Sequence, residues 1–547
     1  MVKKYVAESR VSRWLSAGVL VLSACGLGVS SLVTAGADRA PAASQGQQLL
    51  QKHCMGCHVP EQVEPLQLSR ISHQRKTPEG WLMTIARMQV VHGLNISDED
   101  RRTLVKHLAD SQGLSPAESA PYRYVLERRL NHIEEKQPEL AEMCARCHSE
   151  ARIGLQRREQ KEWEHLVHFH LGQWPSIEYS AMGRDRDWLG LALNEVVPYL
   201  GQHFGLQSDS WEQWQAKPSA DVSGRWRMVG HMPGRGAFQG VMTATADGRD
   251  EFLLSLKGQF DNGEPLQGSG RTVLYSGYEW RADISLGEEN FQQVLALDGD
   301  GNILSGRMFL KDQETQGLDV SAVREAAPQL MAVSPAYLRA GEEQLLSLRG
   351  NRLQGEVQFG EGIALLSEIS RSADEIQVRV KASATANAKR VKVSVGELAY
   401  EPGITLYRRI GRVAVTPAYA VARVGEGGGT APKVNAAFEA HAYAPGSDGV
   451  DGTADDLYIG VLPAHWSLAP FDAQAMEDND LAFAGVIDPK TGVFTPGDAG
   501  PNPARKYGTN NAGHLSVIAK VAAGEQTLEA QAELIVTVQR WNNPPIR

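Results

Sequence analysis

The sequence predicts a multidomain protein that combines an α-helical N-terminal region with about three antiparallel β barrel or sandwich domains. Three observations support this division. The 547 residues are more than one hydrophobic core organises. Apolar residues recur at helical spacing in the first part, up to Trp214. Beyond Trp214 the pattern changes to short alternating runs separated by Gly, Asp and Asn, which is typical of strands and hairpin turns.

A leader is predicted over residues 1–42. Basic residues precede an apolar run from Trp14 to about Val33, and small residues follow, as in a secretory signal peptide cleaved near Ala42. Two alternatives stay open: an uncleaved membrane anchor, since the run is nearly long enough to span a bilayer, and lipidation at Cys25. We expect an exported protein with no membrane span in the mature chain.

Composition limits the class of partner. The chain is 42% hydrophobic and 22% charged, which is ordinary for a folded soluble protein. Its formal net charge of -10 argues against general nucleic-acid binding, which needs clustered Lys and Arg. A protein or a small molecule is therefore the expected partner.

Four of the five cysteines lie in two C-x-x-C-H motifs, "CMGCH" and "CARCH". Two thiols on one helical turn can bond the vinyl groups of a porphyrin, and the next residue presents an imidazole to the iron. A four-cysteine zinc site or redox disulfides would not explain a His after each second Cys. The sequence therefore predicts two covalent c-type haems. The predicted attachment residues are Cys54, Cys57, Cys144 and Cys147, and the proximal iron ligands are His58 and His148.

The second axial ligands are predicted from an internal repeat. Aligning Trp81 with Trp163 places Met88 opposite His170, so Met88 is predicted for the first iron and His170 for the second. Met ligation raises a haem potential relative to His ligation, so the pair would differ in potential. Other residues compete for these roles. The rivals are His92, Met83, His73 and His107 for the first iron, and Met182, His168 and His165 for the second.

Helices are expected around both haems, in a domain of residues 43–214 with halves at about 43–120 and 121–214. Ser97 is a candidate N-cap with acidic residues after it, and Ser115 is another, followed by Pro116. Beyond Pro116 the apolar spacing predicts one helical face, and Pro138 interrupts the pattern before the second motif. The residues of that face are Tyr122, Val125, Leu126 and Leu130.

Three β domains are expected after the helices. Residues 215–326 read as an antiparallel barrel or sandwich, with hairpin signals at 261–263 and 298–301 and alternating apolar residues at Phe252, Leu254 and Leu256. Residues 327–409 resemble an immunoglobulin-like domain of the IPT/TIG type, through a V-x-P opening and an R-G-N-x-L turn. Residues 410–547 are predicted as a C-terminal Ig-like β domain.

An acidic loop in the last domain is a candidate Ca²⁺ site. Asp448, Asp451, Asp455 and Asp456 lie close together in "SDGVDGTADD". The run lacks the Glu that closes an EF-hand loop, so a solvated turn is the alternative. No G-x-S-x-G, H-E-x-x-H or P-loop pattern occurs in the sequence, and no catalytic residue is assigned.

The order of two C-x-x-C-H motifs followed by about three β domains resembles the α subunit of quinohaemoprotein amine dehydrogenase. The stretches "RMQVVHG", "FHLGQWPSIEY" and "RDRDW" add to the likeness. The resemblance implies a periplasmic heterotrimer with a β-propeller subunit and a small subunit that carries cysteine tryptophylquinone. It also implies one bis-His haem and one His/Met haem.

In that family, primary amines are oxidatively deaminated at the quinone, outside this chain. The resemblance implies that this chain passes the electrons through two haems to an external cytochrome c or blue copper protein. Two alternatives remain: a free-standing dihaem cytochrome whose β domains dock another dehydrogenase, and a haem-containing surface binding protein.

Overall fold

The computed structural model describes residues 40–538 except 175–176, 178–185 and 428–430. A helical region is followed by a closed β barrel and by two further β units. The first 39 residues, with most of the predicted leader and Cys25, lie outside the described part. Within the described ranges, no helix is long and apolar enough to cross a membrane.

The helical region contains four long helices and several short ones. The long helices are α1 (Ala40–Cys54), α2 (Pro78–His92), α3 (Asp98–Ser111) and α8 (Gln160–Gln173). The short helices before α8 are α4 (Pro116–Ser119), α5 (Arg123–Leu126), α6 (Pro138–Ala141) and α7 (Ala151–Gly154). Helical segments at Trp188–Leu191, Val197–His203 and Asp209–Gln215 follow α8. Short strands are β1 (Pro60–Gln62), β2 (Gln67–Leu68), β3 (Gln74–Lys76) and β4 (Gln156–Arg158).

Both predicted N-caps are present. The Ser97 hydroxyl accepts a hydrogen bond from the Asp100 N–H at 3.0 Å, and Ser115 forms a capping box with Glu118. The helical face expected through Leu130 is wrong at its end, because α5 stops at Leu126 and Leu130 is 51% exposed. The helix ends in a left-handed turn at Arg128, where the Arg129 N–H donates to the Tyr124 carbonyl at 2.9 Å. Arg307 of the barrel donates to the carbonyl oxygens of residues 127 and 128 at this turn.

An internal repeat relates the two halves of the helical region. The stretches "QRKTPEGW" and "QRREQKEW" each form a short strand followed by the start of a long helix. The indole N–H of Trp81 donates to the carbonyl of Gln112 at 3.0 Å, and that of Trp163 donates to the carbonyl of Phe204 at 3.2 Å. Gln112 and Phe204 are each the C-cap of a helix. Their carbonyls also accept the backbone N–H groups of Lys76 and Arg158, the third residues of the two stretches. The two tryptophans aligned from the sequence therefore occupy equivalent places.

The halves join through these two strands. β3 and β4 pair antiparallel with Arg75 opposite Arg157, so an approximate twofold axis passes between these equivalent residues. Glu118 lies between them: Arg75 donates to it twice, at 2.9 and 2.8 Å, and the Arg157 Nε lies 3.2 Å away. Burial opposes ionisation of Glu118, but the hydrogen bonds from Arg75 and the charge of Arg157 outweigh it and hold its pKa at about 2.

The barrel is closed by eight antiparallel strands in simple sequential order, with the last strand pairing with the first. Its strands are β5 (Gly224–Met232), β6 (Gly236–Gly248), β7 (Glu251–Phe260), β8 (Pro265–Tyr275), β9 (Glu279–Leu286), β10 (Glu289–Leu297), β11 (Ile303–Leu310) and β12 (Gln313–Arg324). The predicted alternating residues Phe252, Leu254 and Leu256 all face its buried interior. The structure thus decides for a barrel over a sandwich in this segment.

The barrel packs against the helical region through buried polar contacts. The Tyr278 hydroxyl lies 2.7 Å from that of Ser119, and the Arg281 Nε donates to Glu79 at 2.5 Å. Burial raises the pKa of neighbouring Glu279 to about 8. The ion pair anchors the first turn of α2, which contains Glu79, to strand β9.

The two remaining β units each build three sheets around one core. The third unit contains β13 (Gln329–Ser334), β14 (Tyr337–Arg339), β15 (Glu343–Asn351), β16 (Val357–Phe359), β17 (Ile363–Arg371), β18 (Glu375–Ala382), β19 (Lys389–Val391), β20 (Val393–Val395), β21 (Leu398–Ala399) and β22 (Ile404–Tyr407). The fourth contains β23 (Arg412–Thr416), β24 (Tyr419–Arg423), β25 (Ala436–Ala437), β26 (Glu439–Ala444), β27 (Leu457–Leu462), β28 (His465–Pro470), β29 (Gly485–Ile487), β30 (Val493–Pro496), β31 (Gly513–Ala523) and β32 (Gln526–Thr537). Two short helices, Ala473–Glu477 and Asp480–Phe483, interrupt the fourth unit and were not predicted. Ig-like topology stays a prediction.

The acidic loop of the fourth unit is held by partners within the chain. Asp451 pairs with Arg409 at 2.7 Å, and Asp456 pairs with Arg412 at 2.6 Å. Asp455 accepts hydrogen bonds from the Ser447 backbone and hydroxyl groups. In the described ranges no three His, Cys, Asp or Glu side chains are grouped as a metal site requires.

We predict that Glu118→Gln destabilises the helical region. Breaking a buried ion pair leaves uncompensated charge, here on Arg75 and Arg157, and costs about 3 kcal/mol or more. Urea unfolding followed by circular dichroism measures the loss. Because the folded-state pKa of Glu118 lies below its ordinary 4.5, its contribution is complete above that pH and disappears as the pH falls towards 2.

The matched control is Glu343→Gln, which removes an exposed carboxylate 3.0 Å from Lys381. Exposed pairs contribute at most about 1 kcal/mol, so this variant should unfold almost as the parent does. Equal losses in the two variants would contradict a special role for the buried cluster.

Candidate functional site

The first C-x-x-C-H motif begins at the last residue of α1. The N–H groups of Cys57 and His58 donate to the Cys54 carbonyl at 3.1 and 2.9 Å, so a single tight turn carries both thiols and the imidazole. Cys54 and Cys57 are thiols rather than a disulfide. Burial, followed by the neighbouring Cys57, raises the pKa of Cys54 to about 11.

His58 is already oriented as a ligand. Its Nδ1 donates to the backbone carbonyl of Ser69 at 2.8 Å. This bond fixes the tautomer and leaves Nε2 available to an iron, as in metal sites where a carbonyl orients the imidazole. Ser69 itself is held by the Val59 N–H, which donates to its hydroxyl at 2.9 Å.

The second motif repeats this arrangement. The Cys147 N–H donates to the Cys144 carbonyl at 3.2 Å, and the His148 Nδ1 donates to the Ser149 carbonyl at 2.8 Å. Burial, followed by the charges of nearby groups, raises the pKa of Cys144 to about 12. In the described part of the chain, the cysteines of the two motifs do not meet in one metal site.

Met88 lies in the second half of α2 and is half-buried. Two of its predicted rivals are engaged elsewhere. The nitrogens of His73 lie 2.6 Å from Glu61 and 3.0 Å from Glu159, and hydrogen bonds to these carboxylates raise its pKa. His107 packs its ring against Gly46, where an added Cβ would lie only 2.2 Å from the ring.

Gly46 is eight residues before Cys54 on α1, about 12 Å along the helix axis. His107 therefore contacts α1 about two turns before Cys54. Met83 and His92 are both exposed and stay alternatives to Met88.

His170 lies near the C-terminus of α8 with its ring oriented. Its Nδ1 donates to the Leu166 carbonyl at 2.7 Å, and the ring centroid is 6.3 Å from that of Trp188. Burial lowers the pKa of His148, and the charges of Arg152 and His170 lower it further. The two predicted ligands of the second iron are therefore close enough to interact.

The rivals of His170 differ in what the structure says of them. His168 is exposed and His165 is partly exposed on α8, and both stay alternatives. Met182 lies outside the described residues.

Exposed apolar side chains accompany both motifs. Val59 follows His58 directly, and Val90 lies two residues after Met88 with 79% of its surface exposed. Near the second motif, Ile133 is 87% exposed and Trp174, at the end of α8, is 65% exposed. Large contiguous exposed apolar surface marks a binding site, whereas single exposed apolar side chains are ordinary. A porphyrin, which is large and apolar, fits residues of this kind.

The carbonyl groups that orient the three imidazoles could not have been identified from the sequence. Ser69, Ser149 and Leu166 contribute backbone atoms, and any residue type supplies a carbonyl. Two of these residues, Ser69 and Ser149, are serines, but nothing in the sequence distinguishes them from the other serines of the chain.

Four family models match successive parts of the chain. "Quinohemoprotein amine dehydrogenase A, alpha subunit, haem binding" matches residues 44–211, and the models of alpha-subunit domains II, III and IV match residues 219–325, 327–408 and 413–546. The chain belongs to this alpha-subunit family. The predicted resemblance is confirmed, and the haem-binding model of the quinohemoprotein amine dehydrogenase family contains both C-x-x-C-H motifs.

Solved structures match only parts of the fold. The structure of EF1p2_mFAP2b bound to DFHBI is 16% identical over 19% of this chain and 93% of its own, with a TM-score of 0.18. The Yersinia pseudotuberculosis adhesin InvE is 11% identical over 43% of this chain and 61% of its own, with a TM-score of 0.13. No curated protein matches the chain.

We predict that haem is attached covalently at both motifs. Proteolysis of the denatured holoprotein should yield two haem-bearing peptides, one containing residues 54–58 and one containing residues 144–148. Replacing both thiols of one motif with Ala should remove only that peptide, as mass spectrometry would detect. Met55→Leu, which changes a residue between the thiols, is the control and should keep both. A single haem peptide in the parent would contradict the prediction.

Proposed function

We propose that this chain is the electron-transferring subunit of a periplasmic amine dehydrogenase. It belongs to the alpha-subunit family, and its first domain holds two similar C-x-x-C-H motifs with oriented imidazoles. That pairing within one haem-binding domain is the observation that carries the proposal. Two bound haems supply a chain of one-electron centres, whereas a single centre would suit sensing or binding equally well.

The residues of this chain hold and orient the haems. The thiols of Cys54, Cys57, Cys144 and Cys147 would attach the porphyrins, and Nε2 of His58 and of His148 would bind the iron. Each carbonyl oxygen that accepts a hydrogen bond from Nδ1 adds partial negative charge to the imidazole ring. The ring is therefore a stronger electron-pair donor to a metal through Nε2.

The distal positions give the two sites different properties. Met88 and His170 occupy equivalent places in the repeat but offer a thioether and an imidazole. When bound, a haem held by His and Met would have a higher potential than one held by two His, so a haem held by Met88 would be the preferred electron acceptor of the two. The chain thereby gives direction to transfer.

The oxidative chemistry belongs to partner subunits. The reducing electrons come from a cysteine tryptophylquinone in a small subunit, where primary amines become aldehydes and ammonia, and a β-propeller subunit completes the heterotrimer. This chain then reduces an external cytochrome c or blue copper protein. Its barrel and two Ig-like β domains serve as docking surfaces, and it contributes no catalytic residue.

We predict that a primary amine reduces the haems of the complex purified from its native host. Anaerobic addition of an amine should produce the sharpened absorption bands of reduced c-type haem. A tertiary amine, which cannot be deaminated to an aldehyde and ammonia, is the control. The complex should contain a small quinone-bearing chain. An intact complex reduced by another substrate class would instead favour a free-standing dihaem cytochrome for a different dehydrogenase.

We predict that Met88→Ala and His170→Ala change different haems. Loss of Met88 should abolish the thioether-to-iron absorption band and lower one potential, because a stronger donor or water replaces the thioether. Loss of His170 should convert the other haem from low spin to high spin, as electron paramagnetic resonance would detect. Met83→Ala and His168→Ala are the matched controls on the same helices. Unchanged coordination in either main variant would transfer that role to a rival.

A further inference from the structure

The two halves of the haem-binding domain touch at a pair of equivalent residues. The Arg87 guanidinium lies over the ring of Phe169, 5.0 Å from its centroid. These residues have the same 82-residue spacing as Trp81 and Trp163, and each directly precedes a predicted distal ligand. Arg87 therefore begins in the first half and ends against α8 of the second half.

The guanidinium of Arg87 has no carboxylate partner among the described residues. In the described residues its guanidinium makes no ion pair or hydrogen bond, and its contact with Phe169 is of the cation–π type. The side chain is half-buried rather than extended into solvent. A guanidinium held in this way, with five donors and no acceptor, is suited to a bidentate anion.

The surroundings of Arg87 are also positive. Lys76 is buried, bonds only to the Thr84 hydroxyl and lies 5.2 Å over the ring of Trp81. Burial lowers the pKa of Lys76, and the charges of Arg158 and Arg87 lower it further. Cations are thus concentrated at the junction of the halves.

Carboxylates at this junction are fewer than cations. Glu162 is the nearest to Arg158, at 3.8 Å, and it is already bound by Arg70 at 2.6 Å. Buried charge of one sign is costly unless a counter-charge accompanies it. The described residues therefore supply fewer anions than basic groups at the junction, so an anion from outside the chain would be stabilised there.

We propose that Arg87 binds a propionate carboxylate of the haem attached at the second motif. This inference rests on the proposed function, which places a haem there. The haem carries two carboxylates and is the one anionic group expected at this site. Arg87 reaches that haem rather than the first because its guanidinium extends away from α2 and lies over Phe169 on α8, the helix that carries His170.

The consequence is electrostatic. A fixed guanidinium beside the propionate would keep that carboxylate ionised. The positive charge of the guanidinium would also favour ferrous over ferric iron. Arg87 therefore raises the potential of the second haem and removes its pH dependence near neutrality. The contribution crosses from one half to the other, so the second site is complete only when the two halves are paired.

The test uses the native complex with Arg87→Gln, Arg87→Lys and Arg102→Gln. Arg102 is an exposed residue of α3, so its variant removes the same charge from the surface. Haem content is measured first, by mass spectrometry of the attached peptides. Optical redox titrations between pH 5 and 8 follow, and the second haem is identified as the one that His170→Ala alters.

In Arg87→Gln we expect the potential of the second haem to fall. The ratio of reduced to oxidised protein should decrease about threefold, which corresponds to roughly 30 mV at about 59 mV per tenfold change. Its potential should also gain a dependence on pH, because the propionate now titrates. Arg87→Lys should retain most of the parent potential, and Arg102→Gln all of it. Phe169→Leu, which keeps the charge but frees its orientation, should give an intermediate shift.

Two results would count against the proposal, and both differ from a failure of the proposed function. Unchanged potentials in Arg87→Gln with both haems attached would overturn it, as would an equal shift in Arg102→Gln. Absence of haem at the second motif in the parent protein would instead overturn the proposed function.

Discussion

The arrangement of the haem-binding domain depends on one buried carboxylate, that of Glu118. Arg75 and Arg157 approach it from equivalent strands of the two halves, and neither guanidinium would be tolerated at this depth without it. The same carboxylate accepts the Ser115 N–H and the Ser208 hydroxyl, so it also fixes the segments that lead out of each half. The strand pair, its register and the approximate twofold axis all follow from keeping this charge satisfied.

The long helices inherit their positions from that strand pair. β3 leads directly into α2 and β4 directly into α8, and a Trp in the first turns of each helix bonds back to a helix C-cap in the same half. Residues at equal distances along the two helices are therefore related by the axis. Met88 and His170 lie at equal distances along the two helices, so a symmetrical frame presents a thioether at one place and an imidazole at the other.

Local signals in the sequence predicted much of this, and non-local contacts account for what it missed. The two C-x-x-C-H motifs, the caps at Ser97 and Ser115 and the spacing of Trp81 and Trp163 are all visible within short segments. The contacts that follow α5 are not, because Arg307, which donates to the Glu127 carbonyl, lies about 180 residues later in the chain. Closure of the barrel likewise depends on a distant contact, the pairing of β5 with β12. The alternation of apolar and polar residues along these strands fits a sandwich equally well.

The barrel is joined to the haem-binding domain through the same helix that carries Met88. Arg281 of β9 binds Glu79 in the first turn of α2, and Met88 lies nine residues further along that helix. Of the two carboxylates near Arg281, Glu79 is half-buried and Glu279 is buried. Burial opposes ionisation of Glu79, but the charge of Arg281 and its hydrogen bond outweigh it and lower the pKa of Glu79, whereas burial raises that of Glu279 to about 8. The charge of Arg281 is therefore committed to the helix rather than to its own strand. Fixing one end of α2 to a closed barrel limits the movement of its other end, where Met88 lies.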